Sequence, residues 1–111
     1  MDDNAYRAVS KGLFGNRHKL EVLCEIANAI ADGEQDVYPR MISRKVINAA
    51  DNQVGDVFNQ LHRGGLLIPV ADKADAQKHR YRARESAIWE MLRDFSTELR
   101  AAPWDPEDLV P

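Results

Sequence analysis

Near the end of an apolar-to-basic hairpin, three cations alternate along the chain: Lys78, Arg80 and Arg82. Successive side chains of an extended strand point to opposite faces, so these three share one face and His79, Tyr81 and Ala83 the other. A cationic stripe of this kind has two physical uses. It holds phosphates, the use favoured here, or it protects an edge strand from pairing with another chain. Upstream, Val54, Val57, Phe58 and Leu61 have the spacing of a buried helical stripe, which turns Gln53, Asp56, Asn59 and Gln60 to the opposite side. That polar face is either solvated or a contact surface.

Other chemistries find less support. His18, Cys24, His62 and His79 match no metal-ligand spacing, and His18 and Cys24, six apart, do not share a helix face. A lone cysteine provides neither a disulfide framework nor a thiolate cluster, and Cys24 reads as a small buried residue. The chain has no glycine-rich phosphate loop, no nucleophile paired with a base, and no carboxylate pair in an apolar setting. Glu21 and Glu25 lie one turn apart, which a solvated helix face explains. The expectation is a protein that is not an enzyme and needs no metal or cofactor.

The elements that position these residues follow from periodicity. A short helix is expected over Asn4–Leu13, with Tyr6, Val9 and Leu13 along one side and an end blurred by Gly12 and Gly15. A second runs from Arg17 to Asp32, capped by Asn16, with Leu20, Leu23, Ile26, Ala27 and Ile30 inward and Gly33 as its left-handed terminator. Glu34–Val37 is a loop or a minor strand. A third helix is expected over Tyr38–Ile47, with Pro39 in its first turn and Ile42 and Val46 inward. Asn48 to Asn52 forms a turn whose Asp51 or Asn52 caps the helix ending at Gly64–Gly65. Gly55, inside that helix, costs about 1 kcal/mol against alanine and suggests a close approach by the preceding helix or a ligand. The strand Leu66–Val70 and the tip 72–77 lead to the basic strand. A last helix, from about Ser86 to Ala101, carries Ile88, Met91, Leu92, Phe95 and Leu99, with Trp89 beside that stripe.

The chain of 111 residues is read as one domain over 1–102 with an extended or flexible tail at 103–111. Its net charge of −3 confines any nucleic-acid surface to a local basic patch. Apolar runs fall short of a membrane span, and the acidic start Met1-Asp2-Asp3-Asn4 is unlike a signal peptide. A cytoplasmic, reduced protein is expected.

The segment Val54-Gly55-Asp56-Val57-Phe58-Asn59-Gln60-Leu61-His62-Arg63-Gly64-Gly65-Leu66-Leu67 resembles the recognition helix of winged-helix transcriptional regulators of the ArsR, MarR and PadR type. Lys78 to Arg82 sits where the wing of that family returns, and the likeness extends over roughly Arg17 to Leu99. It implies an α+β, mostly helical fold: a winged helix-turn-helix with a β-hairpin wing and flanking dimerisation helices. It also implies a sequence-specific DNA-binding transcriptional regulator acting on double-stranded DNA as a homodimer. Carried over, Asn52, Gln53, Asp56 and Asn59 would read bases, since Asn and Gln pair with adenine and Asp accepts from cytosine. Arg44, Lys45 and Arg63 would hold the DNA backbone, and Lys73, Lys78, Arg80 and Arg82 would serve the wing. The dimer interface would comprise Tyr6, Leu13, Trp89, Leu92, Phe95 and Leu99. The chain departs from the family in setting Asp51 and Asp56 against one late arginine on the reading helix, and in lacking paired cysteines on the first motif helix. The rival expectation is a winged-helix module for protein contacts, with Trp104, Leu109 and Val110 of the tail docking on a partner.

Overall fold

The structure, a computed structural model, describes residues 3–16, 18–46, 51–70 and 80–101, with the backbone alone at residues 3–6 and 51. In order the elements are α1 (Asp3–Phe14), α2 (Lys19–Ala31), α3 (Pro39–Ser43), α4 (Asp51–Arg63), β1 (Leu67–Pro69), β2 (Tyr81–Ala83) and α5 (Ala87–Ala101). The architecture is α+β and mostly helical, with one antiparallel hairpin.

Helix α2 is the hub, with α1, α3, α4 and α5 all packed on it. Its burial is therefore broader than the single stripe its sequence suggests: Leu20, Glu21, Val22, Leu23, Cys24, Ile26, Ala27 and Ala29 are all buried. Glu21 and Glu25 do not lie on a solvated face, because α1 and α5 cover it. Arg7 of α1 meets the buried Glu21 at 3.6 Å, and Arg100 of α5 meets the half-buried Glu25 at 3.5 Å.

The two ends of α2 are built differently. Its start is supported from another helix. Asn16 does not cap it; its Oδ1 accepts the N–H of His18, the N-cap residue, whose own side chain makes no cap bond. The hydroxyl of Ser10, fully buried on α1, accepts the N–H of Leu20 at 2.9 Å and donates to the carbonyl of Asn16. At the far end Gly33 adopts φ +99°, its N–H bonds to Ile30 O and that of Glu34 to Ala29 O. This is the paired C-terminal lock that satisfies orphan carbonyls.

Helix α3 is shorter than expected and stops at Ser43, with Arg44 as its C-cap. Pro39 occupies the first turn, where its missing N–H leaves nothing unsatisfied. Ile42 and Val46 are buried beneath the turn that follows. Residues 47–50, where the turn before α4 is expected, lie outside the described residues. Helix α4 then buries Val54, Val57, Phe58 and Leu61 against α2, α3 and β1. Burying a side chain the size of Phe58 contributes about 2–3 kcal/mol. α4 ends as α2 does, with Gly65 at φ +79° and bonds from Gly65 to His62 O and from Leu66 to Leu61 O. Leu66 thus belongs to the helix stop, and the strand is Leu67–Pro69.

In the hairpin, Leu67 pairs with Ala83, Ile68 with Arg82 and Pro69 with Tyr81. Val37 adds a bridge on the other side of β2, exchanging both backbone bonds with Tyr81 at 2.8 Å. The minor strand expected over 34–37 is this one residue. Since Tyr81 spends its N–H and C=O on Val37, its opposite number Pro69 turns its backbone to the outer edge, where it has no N–H to offer. Such a strand discourages further pairing. Phe58 and Tyr81 close the join between α4 and the sheet, with ring centroids 5.6 Å apart.

Ser86 caps α5, its hydroxyl accepting the N–H of Ile88. Trp89, Ser96 and Leu99 are the buried residues of this helix. Trp89 joins the main core with its indole N–H on the Arg84 carbonyl at 3.0 Å, while Leu99 packs with Leu20 and Cys24. Among the described residues no helix is long and apolar enough to cross a membrane.

Candidate nucleic-acid interface

Opposite the buried stripe of α4, at helical spacing, stand Asn52, Asp56, Asn59 and Arg63, all exposed. Gln53 and Gln60 lie on one flank of that face, and Gly55 and His62 on the other. Three of the four expected base-reading residues therefore share the outward face, together with Arg63. Gln53 is exposed on the flank, where with Lys11, Gly15, Asn16 and His18 it lines an open cleft of about 540 Å³. Gly55 is half-buried, and a Cβ added there would meet nothing within 4 Å. The close approach by the preceding helix that the sequence suggests is absent.

Arg44 and Lys45 are exposed, in the turn after α3 instead of on the helix itself. Lys73 and Lys78 lie outside the described residues. The hairpin cations that are described have partners, for a reason of register. With Val37 opposite Tyr81, Asp36 falls opposite Arg82 and Tyr38 opposite Arg80 on the same face of the sheet. The Arg82 guanidinium lies 3.6 Å from the Asp36 carboxylate. That of Arg80 sits over the Tyr38 ring, 5.8 Å from its centroid, in cation–π geometry. Both partners were missed in the sequence, although Asp36-Val37-Tyr38 against Arg80-Tyr81-Arg82 forms a matched polar–apolar–polar pair once the strand is known.

The residues expected at a dimer interface divide by burial. Trp89 and Leu99 are corrected: they are 6% and 1% exposed and already covered within this chain, because α2 and its neighbours take up their apolar area. Leu92 and Phe95 are half-buried. Leu13 stands 64% exposed on α1, and α5 presents Ile88 at 38% and Met91 at 67%. The Tyr6 side chain lies outside the described part of the structure.

The titratable groups away from this surface behave as structural ones. Burial pushes the Cys24 thiol up to about 12, the neighbouring Glu25 charge adding to the effect. Its Sγ contacts Leu92 O at 3.7 Å. The Glu25 carboxyl is raised above the ordinary range, chiefly by burial, with Arg100 pulling the other way. Among the described residues no three of His, Cys, Asp or Glu gather as metal ligands.

No family model, no curated protein and no solved structure matches the chain.

Proposed function

We propose that the chain is a winged helix-turn-helix that binds double-stranded DNA sequence-specifically, as a homodimeric, cytoplasmic transcriptional regulator. The observation carrying this reading is the outward face of α4, where Asn52, Asp56, Asn59 and Arg63 stand exposed in one line while the opposite face is fixed in the core. A helix held that way fits a major groove, where amide side chains bond adenine edges and arginine reaches guanine or phosphate. The element order supports it: two successive helices, α3 and α4, then a hairpin, and a residue between α2 and α3 pairing with the returning strand. Arg44, Lys45, Arg80 and Arg82 supply phosphate contacts around the helix. The exposed Leu13, Ile88 and Met91 supply apolar area for a second copy.

The test is selection from a pool of random duplexes at two salt concentrations. Enrichment of a palindrome with half-sites about one helical turn apart is expected. Salt-sensitive binding without enrichment would remove sequence-specific reading, and no binding at low salt would remove DNA altogether. The second reading, a winged-helix module for protein contacts, is favoured by Asp56, which puts a carboxylate on the contact face. Removing residues 103–111 separates the two: loss of a protein partner with DNA binding intact assigns the tail to protein contacts.

A further inference from the structure

We infer that the cleft between the α1–α2 turn and the first turn of α4 is a phosphate site, taking one backbone phosphate of the DNA whose groove holds α4. The inference rests on the DNA-binding reading and extends it to a surface outside the helix-turn-helix and hairpin. Two independent observations support it. The first is the cleft itself, of about 540 Å³, lined by Lys11, Gly15, Asn16, His18 and Gln53. Among the described residues its lining includes a cation and a histidine and no carboxylate, and it is wide enough for a phosphodiester with part of its sugar. The second is the distribution of charge along the chain. Between Asp3 and Glu21 the sequence carries Arg7, Lys11, Arg17 and Lys19 and no acidic side chain, in a protein of net charge −3.

The geometry explains why a phosphate fits. Gln53 joins the cleft to the N-terminal end of α4, so a duplex seated on the outward face of that helix brings a strand backbone past this end. Lys11 is exposed at the close of α1, where its ammonium meets little cost in reaching an anion. The Asn16 side chain uses its oxygen on the His18 N–H, which leaves its NH₂ as the end that donates. Arg7 is committed to Glu21, and the Lys19 ammonium sits 5.1 Å from the centroid of Phe14. Arg17 lies outside the described residues, so among the described cations of this segment Lys11 is the one placed to make this contact. A phosphate contact positions the protein and carries no sequence information.

The experiment measures duplex affinity against salt for the wild-type chain, Lys11→Ala and Lys11→Arg. Each neutralised phosphate contributes about 0.9 to the slope of log affinity against log salt. Lys11→Ala is expected to flatten the slope by about 1 and to weaken binding equally for preferred and scrambled sequences, with thermal unfolding unchanged. Lys11→Arg is expected to restore the slope. An unchanged slope in Lys11→Ala, with the wild-type chain binding DNA, overturns the phosphate site and leaves the DNA reading standing. A wild-type chain that binds no duplex overturns both. A loss confined to the preferred sequence would make Lys11 a base reader and also overturn the inference.

Discussion

Asp36 holds the one hairpin guanidinium that is both described and exposed, so under the proposed DNA binding its carboxylate competes with a phosphate for Arg82. An exposed ion pair of this sort is worth at most about 1 kcal/mol, a weak hold that a phosphate easily displaces. Asp36→Asn is therefore expected to tighten duplex binding several-fold at low salt while leaving stability nearly unchanged, and titration by fluorescence anisotropy reads it. Equal affinities at low salt would mean that Arg82 does not reach the backbone. Glu25 acts on stability instead. Its folded carboxyl holds a proton at pH values where the unfolded chain has lost it, so stability falls as pH rises from the ordinary glutamate value through the raised one. Urea unfolding of Glu25→Gln across that window is expected to lack this decline. A Gln variant with the same pH profile would assign the decline elsewhere.

At the scale of elements, α4 combines a rigid inner face with an inner-flank glycine that nothing requires. A methyl group at position 55 would meet open space, so Gly55→Ala is expected to stabilise the fold by about 1 kcal/mol, seen as a higher denaturant midpoint at constant slope. If stability rises and duplex affinity drops, a DNA strand approaches that glycine closely. The inner stripe of α4 was plain in the sequence because valine, phenylalanine and leucine at 54, 57, 58 and 61 leave one solution for a helix of that length. Both glycine stops, at 33 and 65, were equally plain. What escaped was everything set by the meeting of distant segments. The Asp36 and Tyr38 partnership depends on a single bridge pairing residue 37 with residue 81, and no local periodicity encodes it. The α2 start escaped for the same reason, its cap coming from another helix. Burial of Glu21 and Glu25 followed from two covering helices, whose placement hydrophobic spacing along α2 could not announce.

At the scale of the whole molecule, the apolar surface left over decides the assembly. Val9 and Phe95 both pack against the cluster of Leu20, Cys24 and Leu99, and one helical turn from them Leu13 and Met91 stand open to solvent. A homodimer through α1 and α5 would cover these side chains, and Met91→Glu would place a charge in that seam. The wild-type chain is expected to sediment as a dimer and Met91→Glu as a monomer of unaltered helix content. A monomeric wild type would end the two-fold operator geometry. Finally, the serine on α1 that serves α2 sets the limit of the autonomous folding unit. A fragment trimmed to the stretch from Lys19 onward would retain α3, α4 and the hairpin yet expose the root of its central helix, with Leu20 short of a hydrogen-bond acceptor inside the protein. Minimal versions of this protein therefore have to be cut upstream of Ser10, well before the first residue that any account of base recognition would ask for.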